Sequence, residues 1–392
     1  MNTPKGSRTL EVRFHAGLRE IDADAWNVLL PDDNPFVDHA FLAGLEQHGC
    51  IGARSGWQPH HLGLYDDGRL VAAAPLYLKG NSHGEFVFDW SWASAYADHG
   101  LDYYPKLLCA VPYSPVTGPR LLVGNGDDAA GLRGALITAI HDEGERLGLS
   151  SAHLNFATSI DADTLDRSDW LARFDWQFHW HNRAADQDGW RDFEQFLGAL
   201  SSKKRKNIRQ ERARVARAGV DCELRHGDEL DDAEWKSLHD FYLATFDDKG
   251  NYPALTLAFF RHLGSTMPRR VVCVLCRRDG KLIAGTLMLR SANTLYGRYW
   301  GCIEQVEGLH FEACYYQGIE YCLREGLTTF EPGAQGEHKL ARGFLPTKTS
   351  SYHWIADPRF RAAIDNALKR EARLLRNYRE ELLAHSPFAD CT

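Results

Sequence analysis

The segment Phe330-Glu331-Pro332-Gly333-Ala334-Gln335-Gly336-Glu337-His338-Lys339-Leu340-Ala341-Arg342 packs two carboxylates, an imidazole, an amine and a guanidinium into a short span. It reads as a strand end followed by a glycine-rich loop, a common place for reactive groups. Glu331 or His338 can take a proton, and Lys339 and Arg342 can steady a developing negative charge. A salt-bridged surface loop has the same composition. A second segment, Gly308 to Cys322, reads as a helix with His310 and Glu312 in its first turn. Side chains and free backbone N–H groups there face whatever docks at the helix start. Glu312, Tyr316 and Glu320 share one face at i, i+4 spacing, which serves a reactive site or a structural polar network equally well.

A third feature is electrostatic. Residues 201–217 hold eight basic side chains and one acid, +7 in a chain of net charge −8. Only Ile208 and Val215 form an apolar stripe on this predicted helix, and Ser201 stands at the N-cap position. Lys203, Lys204, Arg205, Lys206, Arg209 and Arg212 form either a solvated face or a phosphate-binding surface. The −8 balance disfavours a nucleic-acid coat over the whole surface and leaves room for a local contact. A fourth feature, about 80–123, is rich in aromatics and prolines, which build either a rigid pocket wall or core. Trp90, Tyr96, Tyr104, Lys106 and Arg120 are its candidate binding residues. The chain has no G-x-x-x-x-G-K-[ST], no G-x-G-x-x-G after a strand and no G-x-S-x-G.

The elements that must position these groups repeat. Asp67-Gly68-Arg69-Leu70-Val71-Ala72-Ala73 echoes Asp279-Gly280-Lys281-Leu282-Ile283-Ala284-Gly285, each an Asp-Gly hairpin turn between apolar runs. Each hairpin is followed by a helix, a Gly-Leu and a strand: Asp127 to Leu147 then 148–156, and His310 to Glu325 then 326–331. The spacing between corresponding glycines is 80 residues in the first half and 46 in the second, so the first copy carries 34 more, within 80–123. Two mixed α/β domains with partly antiparallel sheets follow, 1–185 and 186–392, the basic helix leading the second. A long helix from Phe360 to Leu383 ends the chain, with Ile364, Leu368, Leu375 and Leu382 in one stripe. Cysteines are scattered; Cys273 and Cys276 form the one C-x-x-C, within an apparent strand that points them to opposite faces, so buried thiols are expected rather than a metal site. No stretch is long and apolar enough to span a membrane, and the first residues lack a signal-peptide apolar region, so a cytoplasmic protein is expected.

The duplicated unit resembles two GNAT-fold domains in tandem, the arrangement of Fem-type aminoacyltransferases. The second half is similar in detail at Leu295-Tyr296-Gly297, Tyr316 to Glu320, Arg324-Glu325-Gly326, Phe330-Glu331-Pro332-Gly333 and Lys339 to Gly343-Phe344. More narrowly, His310-Phe311-Glu312-Ala313-Cys314-Tyr315-Tyr316-Gln317-Gly318 and Gly333 to Lys339 resemble the FemAB-like N-acyltransferases, which carry a peptidoglycan biosynthesis/recognition description. The resemblance implies transfer of an acyl or aminoacyl group to an amine acceptor. The base would be Glu312, Glu331 or His338, with His310 beside them; Lys339, Arg342 or backbone N–H groups would stabilise the oxyanion; Tyr315, Tyr316 and Glu337 would line the substrate. The basic helix would hold the phosphates of tRNA, or of a phosphorylated acyl carrier. No resident cofactor or metal is implied, the donor being a co-substrate, aminoacyl-tRNA or acyl-CoA. The acetyl-CoA loop of ordinary GNAT enzymes is replaced before the second helix by Val306-Glu307-Gly308-Leu309-His310. A CoA-dependent N-acetyltransferase and a non-catalytic module binding cell-wall precursor or RNA are the competing readings.

Overall fold

A computed structural model of the chain describes residues 10–182, 189–248, 252–334 and 336–389. The expected domain boundary at 185/186 and the loop residue Gln335 lie outside them. Contacts divide the chain into two compact units, Met1–Phe174 with Thr349–Ala372, and Asp175–Lys348 with Arg373–Thr392. The C-terminal portion therefore contributes a strand and part of a helix to the first unit, besides completing the second.

In the first unit, Glu11–His15, His61–Asp66 and Arg69–Ala74 form an antiparallel three-stranded sheet. Pro75 has no N–H to donate and interrupts the run. The chain resumes as Leu76–Lys79, which pairs antiparallel with both Trp57–Pro59 and Lys106–Cys109. Lys106–Cys109 then runs parallel to Ser151–Asn155, and helix Ala129–Arg146 is the crossover between them. Parallel neighbours need such a connection. Ser351–Ile355 adds an antiparallel strand beside Ser151–Asn155. Leu107, Leu136, Ile140 and Leu154 are fully buried between helix and sheet.

The second unit repeats the plan. Val220–His226, Val271–Arg278, Lys281–Arg290 and Thr294–Cys302 form an antiparallel sheet, two helices connecting the first strand to the second, and Thr329–Glu331 pairs parallel to the last of these. Residues 309–325 supply the crossover helix. Both expected hairpins are present. Asp67 and Gly68 have φ of 48° and 77°, Asp279 and Gly280 of 50° and 75°, the two positive values that a type I′ turn demands and that Asp-Gly adopts readily. The stretch 80–123 is not all surplus, because Lys106–Cys109 occupies the place in the repeat that Thr294–Cys302 holds in the second unit. The last helix runs Pro358–Ala384. Its Ile364 and Leu368 pack with Trp92 and Tyr96 in the first unit, and Leu382 joins the core of the second.

Candidate active site

The basic helix spans Ser202–Arg217 and buries Ile208 and Val215. Ser201 occupies the N-cap position without a side-chain capping bond. Burial of that stripe turns Arg212 inward, where it bridges two carboxylates of the crossover helix. Its guanidinium donates to Glu312 at 3.1 and 3.0 Å and to Glu320 at 2.7 and 3.1 Å. Gln317 Nε2 adds a bond of 2.8 Å to Glu312. Burial opposes the arginine's charge, but bonds to Glu320 and the field of Glu312 outweigh it and raise its pKa.

The crossover helix is not regular. Leu309–Phe311 is α-helical, Glu312–Tyr316 is a π-turn, and Gln317–Glu325 returns to α. The π-turn widens the spacing, so Tyr316 leaves the face expected to hold Glu312 and Glu320. Its hydroxyl donates instead to Glu211, the lone acid of the basic helix. Arg342 closes this second cluster. It donates to the Tyr316 oxygen at 3.0 Å, to Glu211 at 2.7 Å and to the His338 carbonyl at 2.8 Å, and its Cζ lies 3.4 Å from the centroid of the Phe311 ring. Two clusters thus tie one helix to the other, one through Arg212 and one through Glu211.

The loop after Thr329–Glu331 is drawn against the same helix. Lys339 is buried and donates to the Gly333 carbonyl at 2.7 Å, closing the loop on itself. Burial pushes its amine down to about 8. His338 is exposed, but its Nε2 lies 2.8 Å from the hydroxyl of buried Tyr315. Burial first, then the charges of Lys339 and Arg342, hold the imidazole below its ordinary pKa, so it is neutral at pH 7. His310, beside it, has its ring centroid 6.2 Å from that of His338 and 5.4 Å from that of Tyr315. Gly336 has φ 115°, and a Cβ there would meet the His338 ring 2.4 Å away; only glycine lets this imidazole fold over the loop.

Of the residues expected at the site, His310, Tyr315, His338, Lys339 and Arg342 converge. Glu312 is adjacent but committed to Arg212. Glu331 is buried at the strand end, and Glu337 accepts from the Tyr378 hydroxyl at 2.5 Å on the exposed side. Glu211, Phe311 and Gln317 were not expected; the one acid in a basic run was the available signal for Glu211. On the basic helix, Arg205 donates to the Gly198 carbonyl at 3.2 Å and Arg209 pairs with Glu194 at 2.5 Å. Lys203, Lys204 and Lys206, in the first turns, make no ion pair with a described residue.

The first-unit candidates separate. Lys106 is fully buried, donating to Glu85 at 2.9 Å and to Asp89, with Ser82 at 3.4 Å. Its register partner Lys79 is fully buried too, 4.0 Å over the Trp57 ring. Tyr104 joins through Ser82 at 2.6 Å, and Tyr103 donates to Asp89 at 2.6 Å. From Tyr103 the network runs to His153 at 3.2 Å and to His353 across 2.6 Å. Burial pushes Lys79 down to about 7 and Glu85 up to about 7. Tyr96 stacks on Phe360, Trp90 is exposed, and Arg120 is fully buried, its guanidinium committed to the carbonyls of Val116, Pro119 and Asn155. These side chains hold the first unit together.

A profile of the FemAB-like family, described as peptidoglycan biosynthesis/recognition, matches residues 17–390. The chain belongs to the FemAB-like family. Among solved structures, FemX aligns over 91% of this chain and 100% of its own with 12% identity and a TM-score of 0.52. L-PGS from Bacillus licheniformis aligns over 86% and 97% with 11% identity and a TM-score of 0.50. A tandem GNAT protein from the clavulanic acid biosynthesis pathway aligns over 89% and 99% with 13% identity and a TM-score of 0.43. The first two likenesses establish the fold as the tandem GNAT-like one expected for the family. A search of curated protein sequences finds no match. Among the described residues no helix is long and apolar enough to cross a membrane.

Proposed function

We propose that this FemAB-like chain is an N-acyltransferase that moves an acyl or aminoacyl group from an activated donor to an amine of a peptidoglycan-type acceptor, with its chemistry in the second unit. The observation that carries the reading is an exposed, neutral imidazole, His338, fixed by Tyr315 and flanked by Lys339 and Arg342. Amide formation needs a base for the attacking ammonium and positive charge near the tetrahedral oxyanion. In the tautomer whose Nε2–H is donated to the Tyr315 oxygen, His338 Nδ1 accepts the amine proton. Tyr315 stays a neutral phenol, because burial raises its pKa. Lys339, whose amine burial brings down to about 8, offers a proton or a charge to the oxyanion. Arg342 and Glu211 set the backbone of the loop, which places the imidazole; holding reactants in line supplies much of the remaining acceleration.

Aminoacyl-tRNA is the donor this reading favours, supported by Lys203, Lys204 and Lys206, whose charges no described acid neutralises. The test incubates the full chain with amine acceptors and either aminoacyl-tRNA or acyl-CoA, and reads products by mass spectrometry. Amide product from aminoacyl-tRNA, with an affinity that falls steeply with salt and less so in the triple Lys→Gln variant, is expected. Product from acyl-CoA alone would overturn the donor assignment. Binding without product from either would overturn the enzyme reading.

A further inference from the structure

Three of the second unit's cysteines lie along one row of its sheet, and two of them already touch. Cys222 on Val220–His226 and Cys276 on Val271–Arg278 are directly opposed in antiparallel register. Their sulfurs are 3.4 Å apart, and both are free thiols. Directly opposed antiparallel residues have Cα separations of about 4.5–5.5 Å, inside the range that a disulfide spans. Along the same row, Cys276 pairs with Ala284, and Ala284 with Cys302.

The two thiols are not equivalent. Cys276 is fully buried, and its hydrogen bond with Cys222 and its burial both raise its pKa, so it remains a thiol. Cys222 is half-buried, on the strand that ends the sheet order of the second unit. An oxidant therefore reaches Cys222 first, with a second thiol in contact behind it, the arrangement of an attacked and a resolving cysteine.

We propose that Cys222 and Cys276 are an oxidative modification site, closing to a reversible disulfide under hydrogen peroxide. In the first step the Cys222 sulfur attacks the peroxide and the O–O bond breaks, giving a sulfenic acid and one water. In the second, the Cys276 sulfur attacks the Cys222 sulfur, its proton leaves with the hydroxyl as a second water, and the S–S bond forms. Sulfur is oxidised by two electrons and peroxide is reduced by two; a dithiol reverses the bond by exchange. The consequence reaches the candidate active site through the chain. The basic helix ends at Arg217, and Val220–His226 begins three residues later. The bond would fasten the exit of the helix that presents Glu211 and Arg212.

The test treats the full chain with hydrogen peroxide, blocks remaining thiols under denaturing, non-reducing conditions and maps the peptides. The expected product is a Cys222–Cys276 cross-linked peptide pair, lighter by two hydrogen atoms than the separate peptides, which dithiothreitol releases. Cys222→Ser, at the half-buried position, should abolish it, and in Cys276→Ser a dimedone-type probe should trap Cys222 as sulfenic acid. Amide exchange in Ser202–Arg217 should slow several-fold on oxidation and recover on reduction. Both thiols remaining alkylatable, irreversible sulfinate at Cys222, or a link from Cys222 to another cysteine would overturn the site. A cross-link with unchanged exchange in the basic helix would overturn its coupling to the active site.

Discussion

Lys106→Met removes the only charge on a side chain whose stem and position methionine keeps. In the structure that charge serves Glu85 at 2.9 Å and Asp89, and the side chains of all three are at most 3% exposed. No solvent-screening discount applies at that burial. Breaking a buried ion pair from one side costs about 3–5 kcal/mol, because the partner charge stays buried and uncompensated. The effect has a pH signature. Burial pushes the Asp89 carboxyl up, but Lys106 and the bonds from Lys106, Ser82 and Tyr103 outweigh it and hold it below its ordinary value. Asp89 therefore stabilises the native protein above its unfolded pKa of about 3.9, and that contribution is lost as pH falls through the lower folded value. Without Lys106, burial is opposed on Asp89 only by the bonds from Ser82 and Tyr103 and on Glu85 only by Lys79, so both carboxyls move up, Glu85 from a value already near 7. Both then favour the protonated form, and the variant gains stability as pH falls. The gap between wild type and variant should be widest near pH 7 and close toward pH ~4. Hydrogen exchange of the amides of Lys106–Cys109 reads this locally; at neutral pH exchange should accelerate by roughly two to three and a half orders of magnitude. A change under about threefold, or a gap that widens at acid pH, would refute the reasoning.

Arg212→Met should destabilise the second unit by about 2–4 kcal/mol, less than a fully buried pair because Glu320 is partly exposed, and adding Glu312→Gln should recover a large part of it; additive losses in a double-mutant cycle by urea unfolding would contradict the network. Gly336→Ala should cut transfer by at least about tenfold, since the new Cβ displaces the His338 ring, and should also lower the unfolding midpoint, because alanine is strained at φ 115°; unchanged kinetics would show that the imidazole's place is not needed. The kcat/KM profile should have an acid limb below about 6.5, from neutral His338, and an alkaline limb near 8, from Lys339. Lys339→Met should remove the alkaline limb and move the acid limb up, because one cation that depresses His338 is gone; an alkaline limb that survives would assign it elsewhere.

The repeat was legible because its signals are local. Asp-Gly between apolar runs forces positive φ at both positions, and Gly-Leu after each helix marks where the crossover ends. The convergence of His310, Tyr315, His338, Lys339 and Arg342 followed from their nearness along the chain and from the family motif. What was hidden depends on pairing across the chain. Lys79 and Lys106 become neighbours through strand register, with Glu85 and Asp89 supplied by a loop between them, so Lys106 reads in sequence as a candidate binding residue. The π-turn at Glu312–Tyr316 shifts Tyr316 to Glu211 and cannot be read from i, i+4 spacing. The basic helix shows the same limit: counting charges gives +7, but Arg209, Arg212 and Arg214 are answered by Glu194, Glu312, Glu320 and Glu307. The exchange of a C-terminal strand into the first unit has no local signature at all.

The central claim, that His338 accepts the amine proton, is tested most directly by single-turnover transfer from a pre-bound donor in wild type and His338→Asn at pH 7. Loss of a positioned general base should slow the chemical step by about 10²–10⁴-fold with donor affinity intact. A His338→Asn protein that transfers at the wild-type rate would contradict the account.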